Sequence, residues 1–246
     1  MRVIVLGSGG AHKTETAIAR AVRTLGHPCR QVNVVGWTRY LKGLARPVVH
    51  RLVESFDPEL LIVTRPAIRL GEGALRALAR DRRSVFWYFD LAGRPLPEAV
   101  SLGKSVDTMF VTTLSQVDRY RVAGVPNVLH LPQGMDPATD RPATRSPRRY
   151  RCDVSFVGSG HYPFRHDLLR AIAASCRMQI RGPGWPGAPA DLPVCGASVW
   201  TARFAQVVRG AAISLGALAL LADALFDRAD LPKNKVPDDT GGTPGH

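Results

Sequence analysis

The chain has 246 residues, 45% hydrophobic and 22% charged, with 33 Lys plus Arg against 20 Asp plus Glu and a formal net charge of +13. That balance excludes a disordered, collagen-like or coiled-coil protein and leaves room for one large α/β domain or two small ones. The basic surplus is scattered rather than blocked, so it reads as a solvated surface suited to nucleotide phosphates or to peripheral contact with anionic surfaces; no nucleic-acid partner is expected.

Cys29, Cys152, Cys176 and Cys195 show no CxxC spacing, so neither a zinc site nor a disulfide framework is expected, and a reducing compartment follows. The apolar run after Met1-Arg2 is too short for a secretory signal. The longest mainly apolar stretch, Ala211–Leu225, ends in Asp-rich sequence and falls short of the roughly 20 residues that span a membrane. These features predict a soluble cytoplasmic protein.

In chain order, Val3–Leu6 is predicted as a buried strand, Thr14–Leu25 as an amphipathic helix and Gln31–Val35 as a second strand. Arg39–Phe56 is predicted as a helix with a kink or break at Pro47, followed by strand Leu60–Val63, helix Glu72–Arg80 and the aromatic strand Ser84–Phe89. Thr108–Thr112 and Val128–Leu131 are further strands around a helix that opens at Ser115 and ends near Gly124. Continuous apolar strands alternating with helices imply a parallel sheet covered on both faces.

Pro137–Tyr150 breaks this rhythm and reads as a linker. The rhythm restarts with strand Asp153–Val157, helix Arg165–Ala174 and strand Met178–Arg181; a Gly- and Pro-rich loop then runs to Ser198, ahead of helix Trp200–Arg209 and strand Ala211–Leu215. A helix over Ala217–Phe226 and a disordered tail over Leu231–His246 are expected. The division is therefore a Rossmann-like unit over residues 1–136, a linker over 137–150, a second, partial unit of about three strands over 151–230, and a tail over 231–246.

The turn Gly7-Ser8-Gly9-Gly10-Ala11-His12-Lys13-Thr14 approaches a P-loop, but His12 stands where GxxxxGK[ST] requires its last glycine. A P-loop-like nucleotide-binding protein therefore stays as a third reading, and a tight turn at a helix N-terminus as the plainer one. His12 lies at the ligand-binding edge of the predicted sheet and suits a general base; Asp90, ending the aromatic strand, is the second candidate base. Pro132-Gln133-Gly134-Met135-Asp136 reads as a hinge. Gly158, Ser159 and Gly160 form a second strand-to-glycine turn with Arg165 in the next helix, a guanidinium suited to phosphate. Gly182, Gly184 and Trp185 close the following strand, where the ring could frame a nucleobase or a sugar.

Taken in order, Phe110-Val111-Thr112-Thr113, Gly124-Val125-Pro126-Asn127-Val128, Leu131–Asp136, Asp153–Ser159, Arg165 and Gly182–Trp185 resemble the CgeB-type, spore-maturation-like family of bacterial glycosyltransferases. The resemblance implies a GT-B architecture of two Rossmann-like units, with a nucleotide-sugar donor held by the C-terminal unit and an acceptor by the N-terminal one. It implies no cofactor and no metal, since helix dipoles and basic side chains offset the diphosphate charge. The implied activity is transfer of a sugar to an acceptor hydroxyl. Gly158, Ser159, Arg165, Gly182, Gly184 and Trp185 would serve the donor, and His12 or Asp90 would be the base. The family pattern continues beyond the strand near Ile213 with further βα units, so the second unit is expected to be incomplete. The alternative is a non-catalytic remnant or binding module.

Overall fold

The computed structural model describes residues 1–90, 94–185 and 189–215, and the chain divides into two compact units, Met1–Ala138 and Thr139–His246. The helix expected over 217–226 and the tail over 231–246 lie outside the described residues.

The first unit is a parallel sheet of β1 (Val3–Gly7), β2 (Cys29–Asn33), β3 (Leu60–Thr64), β4 (Arg83–Tyr88), β5 (Thr108–Val111) and β6 (Val128–His130), in the order β2-β1-β3-β4-β5-β6. β1 is buried along its whole length. Its side chains alternate between faces. Ile4 and Leu6 join the larger core with Val49, Val53, Leu78 and Leu102, while Val3 and Val5 pack beneath Ala19 of α1 (Thr14–Thr24). This is the two-sided burial that continuous apolar runs require.

The helix expected over 39–56 is two helices. α2 (Val34–Leu41) starts directly after β2, where the Asn33 side chain accepts the Gly36 amide at 3.0 Å as its N-cap. Lys42 then takes a φ of 47°, a short 3-10 turn follows, and α3 (Ala45–Phe56) begins. Pro47 causes no kink, because it falls in the first turn of α3, where an amide has no acceptor within the helix. α4 (Glu72–Ala79) follows the expectation, and α6 (Leu114–Val122) falls where a helix was expected. α5 (Pro97–Gly103), with proline at its start, was not expected; its Ala99 and Leu102 are fully buried in the larger core.

The second unit holds β7 (Cys152–Val157), α7 (Pro163–Ala173), β8 (Met178–Arg181), β9 (Val194–Gly196), α8 (Thr201–Gly210) and β10 (Ala211–Leu215). Its four described strands are parallel, in the order β10-β7-β8-β9. β9 was hidden in the expected long loop: it is three exposed residues with no apolar run to reveal it. Val154, Phe156, Leu169, Met178, Ile180 and Trp185 form the core. The stretch expected as a linker is packed onto this unit at its end. Tyr150 is buried with Val199 and Val207, and the Ser146 hydroxyl donates to the Gln206 carbonyl at 2.7 Å.

Both strand orders reverse direction once, between β1 and β3 in the first unit and between β7 and β10 in the second. In open α/β sheets ligands bind at such points, outside the C-terminal ends of the strands. No helix of the described residues is long and apolar enough to cross a membrane.

Candidate functional site

At the first switch point, the turn after β1 is closed by its own helix. Glu15, in the first turn of α1, is 4% exposed, and its Oε1 accepts the Thr64 hydroxyl at 2.8 Å and the Ser8 amide at 3.1 Å. Gln31 donates to the Ser8 carbonyl at 2.7 Å, and the Thr16 hydroxyl to the Gly10 carbonyl at 2.8 Å. A Cβ on Gly7 would lie 2.1 Å from the Thr64 hydroxyl, and one on Gly9 2.6 Å from the Asn33 amide group. These glycines thus serve close packing of the protein on itself. A carboxylate sits at the switch point and takes up the Ser8 amide, which counts against the P-loop-like reading because it would repel phosphate. His12 lies exposed in the same loop.

Asp90 follows β4 and pairs with Arg65, which follows β3, at 2.7 Å through Oδ2. The Asp90 backbone carbonyl accepts the Gln116 side chain at 2.8 Å, and Gln116 in turn accepts the Thr113 hydroxyl at 2.9 Å. Beneath them Tyr88 and Tyr120 stack edge to face with centroids 5.8 Å apart, and burial pushes the Tyr88 hydroxyl well above its ordinary range. β3 separates the strands that lead to His12 and Asp90, so their strand ends stand about 10 Å apart on one edge. The Pro132–Asp136 segment continues that edge, and Asp136 forms an ion pair with Arg20 of α1.

The second unit brings its predicted residues together. The loops after β7 and β8 lie against each other at the C-terminal edge. Gly158 donates its amide to the Arg181 carbonyl at 2.9 Å, and Gly160 to the Pro183 carbonyl at 2.9 Å. The fit leaves no space for side chains. A Cβ on Gly182, whose φ is 150°, would stand 1.9 Å from the Gly158 carbonyl oxygen, and one on Gly160 2.6 Å from that of Gly184. Gly184, at φ 73°, lies directly beneath the His161 imidazole.

Arg165 is 9% exposed and does not face open solvent. Its Nη1 donates to the Ser159 carbonyl at 2.8 Å and its guanidinium lies over the Tyr162 ring at 4.4 Å, while burial lowers its basicity. Trp185 is 5% exposed: its indole N–H donates to the Gly158 carbonyl at 3.0 Å, and Phe156 and His166 flank the ring at 6.1 and 5.4 Å. The Trp185 ring is therefore part of the core and props up the Gly158 turn; in this arrangement it offers no open face to a nucleobase. Glu15, Thr64, Arg65, Gln116, His161 and His166 were not singled out from the sequence. Glu15 carried one signal, an acidic residue in the first turn behind a glycine loop; Arg65 carried none, because its partner is distant in sequence. Among the described residues no three His, Cys, Asp or Glu side chains gather to hold a metal ion.

No known protein family matches the chain, and no curated protein does. Solved structures match its fold. HepE of Anabaena, in complex with UDP and glucose, aligns with a TM-score of 0.56 and 14% identity over 87% of this chain and 73% of that one. The lipopolysaccharide outer core galactosyltransferase WaaB aligns with a TM-score of 0.51 and 12% identity over 85% and 71%. A Listeria monocytogenes chain assigned as a UDP-N-acetylglucosamine 2-epimerase aligns with a TM-score of 0.54 and 10% identity over 91% and 76%. The shared architecture is that of an α/β protein with two Rossmann-like units of the GT-B type.

Proposed function

We propose that the protein transfers a sugar from a nucleotide-sugar donor to an acceptor hydroxyl, as a CgeB-type glycosyltransferase. The observation that carries this reading is the locked pair of loops after β7 and β8, next to the β7/β10 switch point of a GT-B fold. The fold alone does not choose the reaction, since it also serves a chain assigned as an epimerase. In the proposed step the acceptor oxygen bonds to the anomeric carbon and the bond from that carbon to the diphosphate breaks. The nucleoside diphosphate leaves, and the hydroxyl proton passes to His12 or Asp90 if the reaction inverts. Arg65 engages Oδ2 of Asp90, and no hydrogen bond among the described residues uses Oδ1. Gly158 and Ser159 would meet the diphosphate, with Arg165 shaping their turn through the Ser159 carbonyl. Gly182, Gly184 and Trp185 would support that turn from behind.

One observation favours a second reading, a binding module without a donor site. The Gly158 and Gly160 amides, natural partners for a diphosphate, already donate to Arg181 and Pro183. Calorimetric titration with UDP, GDP, dTDP and ADP separates the two. Saturable binding of one diphosphate, weakened in a folded Arg165→Ala variant, supports the transferase. Absence of binding to all four, by a protein shown to be folded, leaves the binding module.

A further inference from the structure

We propose that the second unit carries a separate oxyanion pocket on the opposite edge of its sheet, suited to a ligand with two or more phosphoryl groups. A cavity of about 550 Å³ opens there, lined by Arg145, Arg151, Arg177 and Arg209 together with Thr144 and Ser146. Its size lies within the range typical of ligand sites. Arg151 precedes β7, Arg177 precedes β8 and Arg209 closes α8, so the pocket lies at the N-terminal ends of the strands. The glycine loops lie at the other end of β7, about 20 Å away.

Three separate chain segments converge on this cavity, and the packing between them is specific. Gly210 lies so close to the segment ahead of β7 that a Cβ there would come within 2.4 Å of the Tyr150 carbonyl and 2.6 Å of the Ser146 hydroxyl. Ser146 itself is tied to α8 through the Gln206 carbonyl at 2.7 Å. The segment bearing Arg145 and Arg151 is thus held over the end of α8 that bears Arg209.

The charges are not balanced by the protein. Arg177 pairs with Asp153 at 3.7 Å, but Arg145, Arg151 and Arg209 make no ion pair among the described residues, and no carboxylate lines the cavity. The C-terminal dipole of α8 accounts for a cation at Arg209. At about half a charge it does not balance the further cations of Arg145 and Arg151, which another segment brings to the same cavity. The four guanidinium groups are exposed, so water and salt screen part of their repulsion; an anion between them would offset the rest, and their planar forks match phosphate oxygens in pairs. The Thr144 hydroxyl adds a neutral donor to the lining. A free polyphosphate and a phospholipid headgroup present the same chemistry to this pocket.

The test is calorimetry of the full chain with inorganic tripolyphosphate, beside sedimentation with phosphatidylcholine vesicles with or without phosphatidylglycerol. The test variant is Arg145→Ala/Arg151→Ala/Arg209→Ala. The control, Arg39→Ala/Arg51→Ala/Arg80→Ala, removes the same charge from exposed positions of the first unit. Among the described residues none of these six arginines makes an ion pair, so both variants should fold, which a melting curve checks. The expected result is saturable tripolyphosphate binding, weakened about tenfold or more in the test variant and nearly unchanged in the control. Capture by the anionic vesicles alone, lost in the test variant and competed by tripolyphosphate, also supports the pocket and assigns the phosphate to a lipid headgroup. No binding in either arm overturns the proposal, as does equal loss in both variants. Loss in Arg165→Ala with the test variant unaffected also overturns it, because the ligand would then occupy the loops at the other edge of the sheet.

Discussion

The Glu15 carboxylate accepts the Thr64 hydroxyl at 2.8 Å, joining the first turn of α1 to the end of β3 across the point where the strand order reverses. Thr64 is fully buried and Glu15 nearly so, which makes this contact a structural closure of the crevice in the first unit. The same carboxylate takes up the Ser8 amide at 3.1 Å, so a phosphate at that amide would have to displace a group of its own sign.

Glu15→Ala should therefore destabilise the first unit. It leaves the Ser8 amide without this acceptor and the Thr64 hydroxyl with only its longer bond to the Leu6 carbonyl at 3.2 Å, at a cost of about 1–3 kcal/mol. Glu15→Gln keeps an acceptor in place and should cost less. Chemical denaturation of both variants checks the order; equal loss in the two would show that charge, not hydrogen bonding, holds the turn.

Gly182→Ala and Gly134→Ala should separate packing from flexibility. A Cβ at 182 would overlap the Gly158 carbonyl oxygen at 1.9 Å, whereas one at 134 meets nothing within 4 Å. The first substitution forces the β7 and β8 loops apart and should lower stability by roughly 1–3 kcal/mol while abolishing any nucleotide binding there. The second should leave the melting temperature almost unchanged.

Arg20→Ala should release the Pro132–Asp136 segment. The Asp136 side chain is 9% exposed and paired with Arg20, so removing the cation takes away its opposite charge and leaves it hydrogen bonds such as that from the Ala138 amide at 3.0 Å. Faster hydrogen exchange at 133–136 with little change in the β1–β4 core is the expected readout. Unchanged exchange would show that the segment is held by its other contacts.

Asp90→Asn should lower turnover about 100-fold to 10,000-fold if Asp90 takes the acceptor proton, with nucleotide affinity intact. Steady-state kinetics with any donor found by calorimetry checks it. An unchanged kcat would move the role of base to His12.

Alkaline pH should weaken the first unit through Tyr88. Burial raises the hydroxyl of Tyr88 above that of an unfolded tyrosine, near pH 10. A folded value above the unfolded one gives stability that is fully present below about pH 10 and falls as pH rises through the window above it, because the unfolded chain then holds fewer protons. Melting curves at pH 9 and pH 11 should show a larger drop for the wild type than for Tyr88→Phe.

The sequence by itself determined the α/β class, most strands of both sheets and the positions of the glycine turns. Apolar runs such as Val3–Leu6 and Leu60–Val63 are buried on both faces, and that burial is written locally in residue type. The break between α2 and α3 was not visible, since Lys42 adopts its left-handed conformation without a glycine to announce it. β9 escaped because three exposed residues carry no periodicity, and α5 because it is short and begins at a proline that reads as loop.

Only the tertiary structure decided what the motif residues do. Gly158 and Gly182 are neighbours because β7 and β8 pair, and Trp185 turns into the core because the Gly158 carbonyl offers its indole a partner. Arg65 reaches Asp90, and Arg145 and Arg209 line one cavity, across separations at which sequence patterning carries no information. Patterning reports whether a residue prefers water or the interior; the partner it finds there depends on which strands lie side by side, and that is settled by long-range pairing of the sheets.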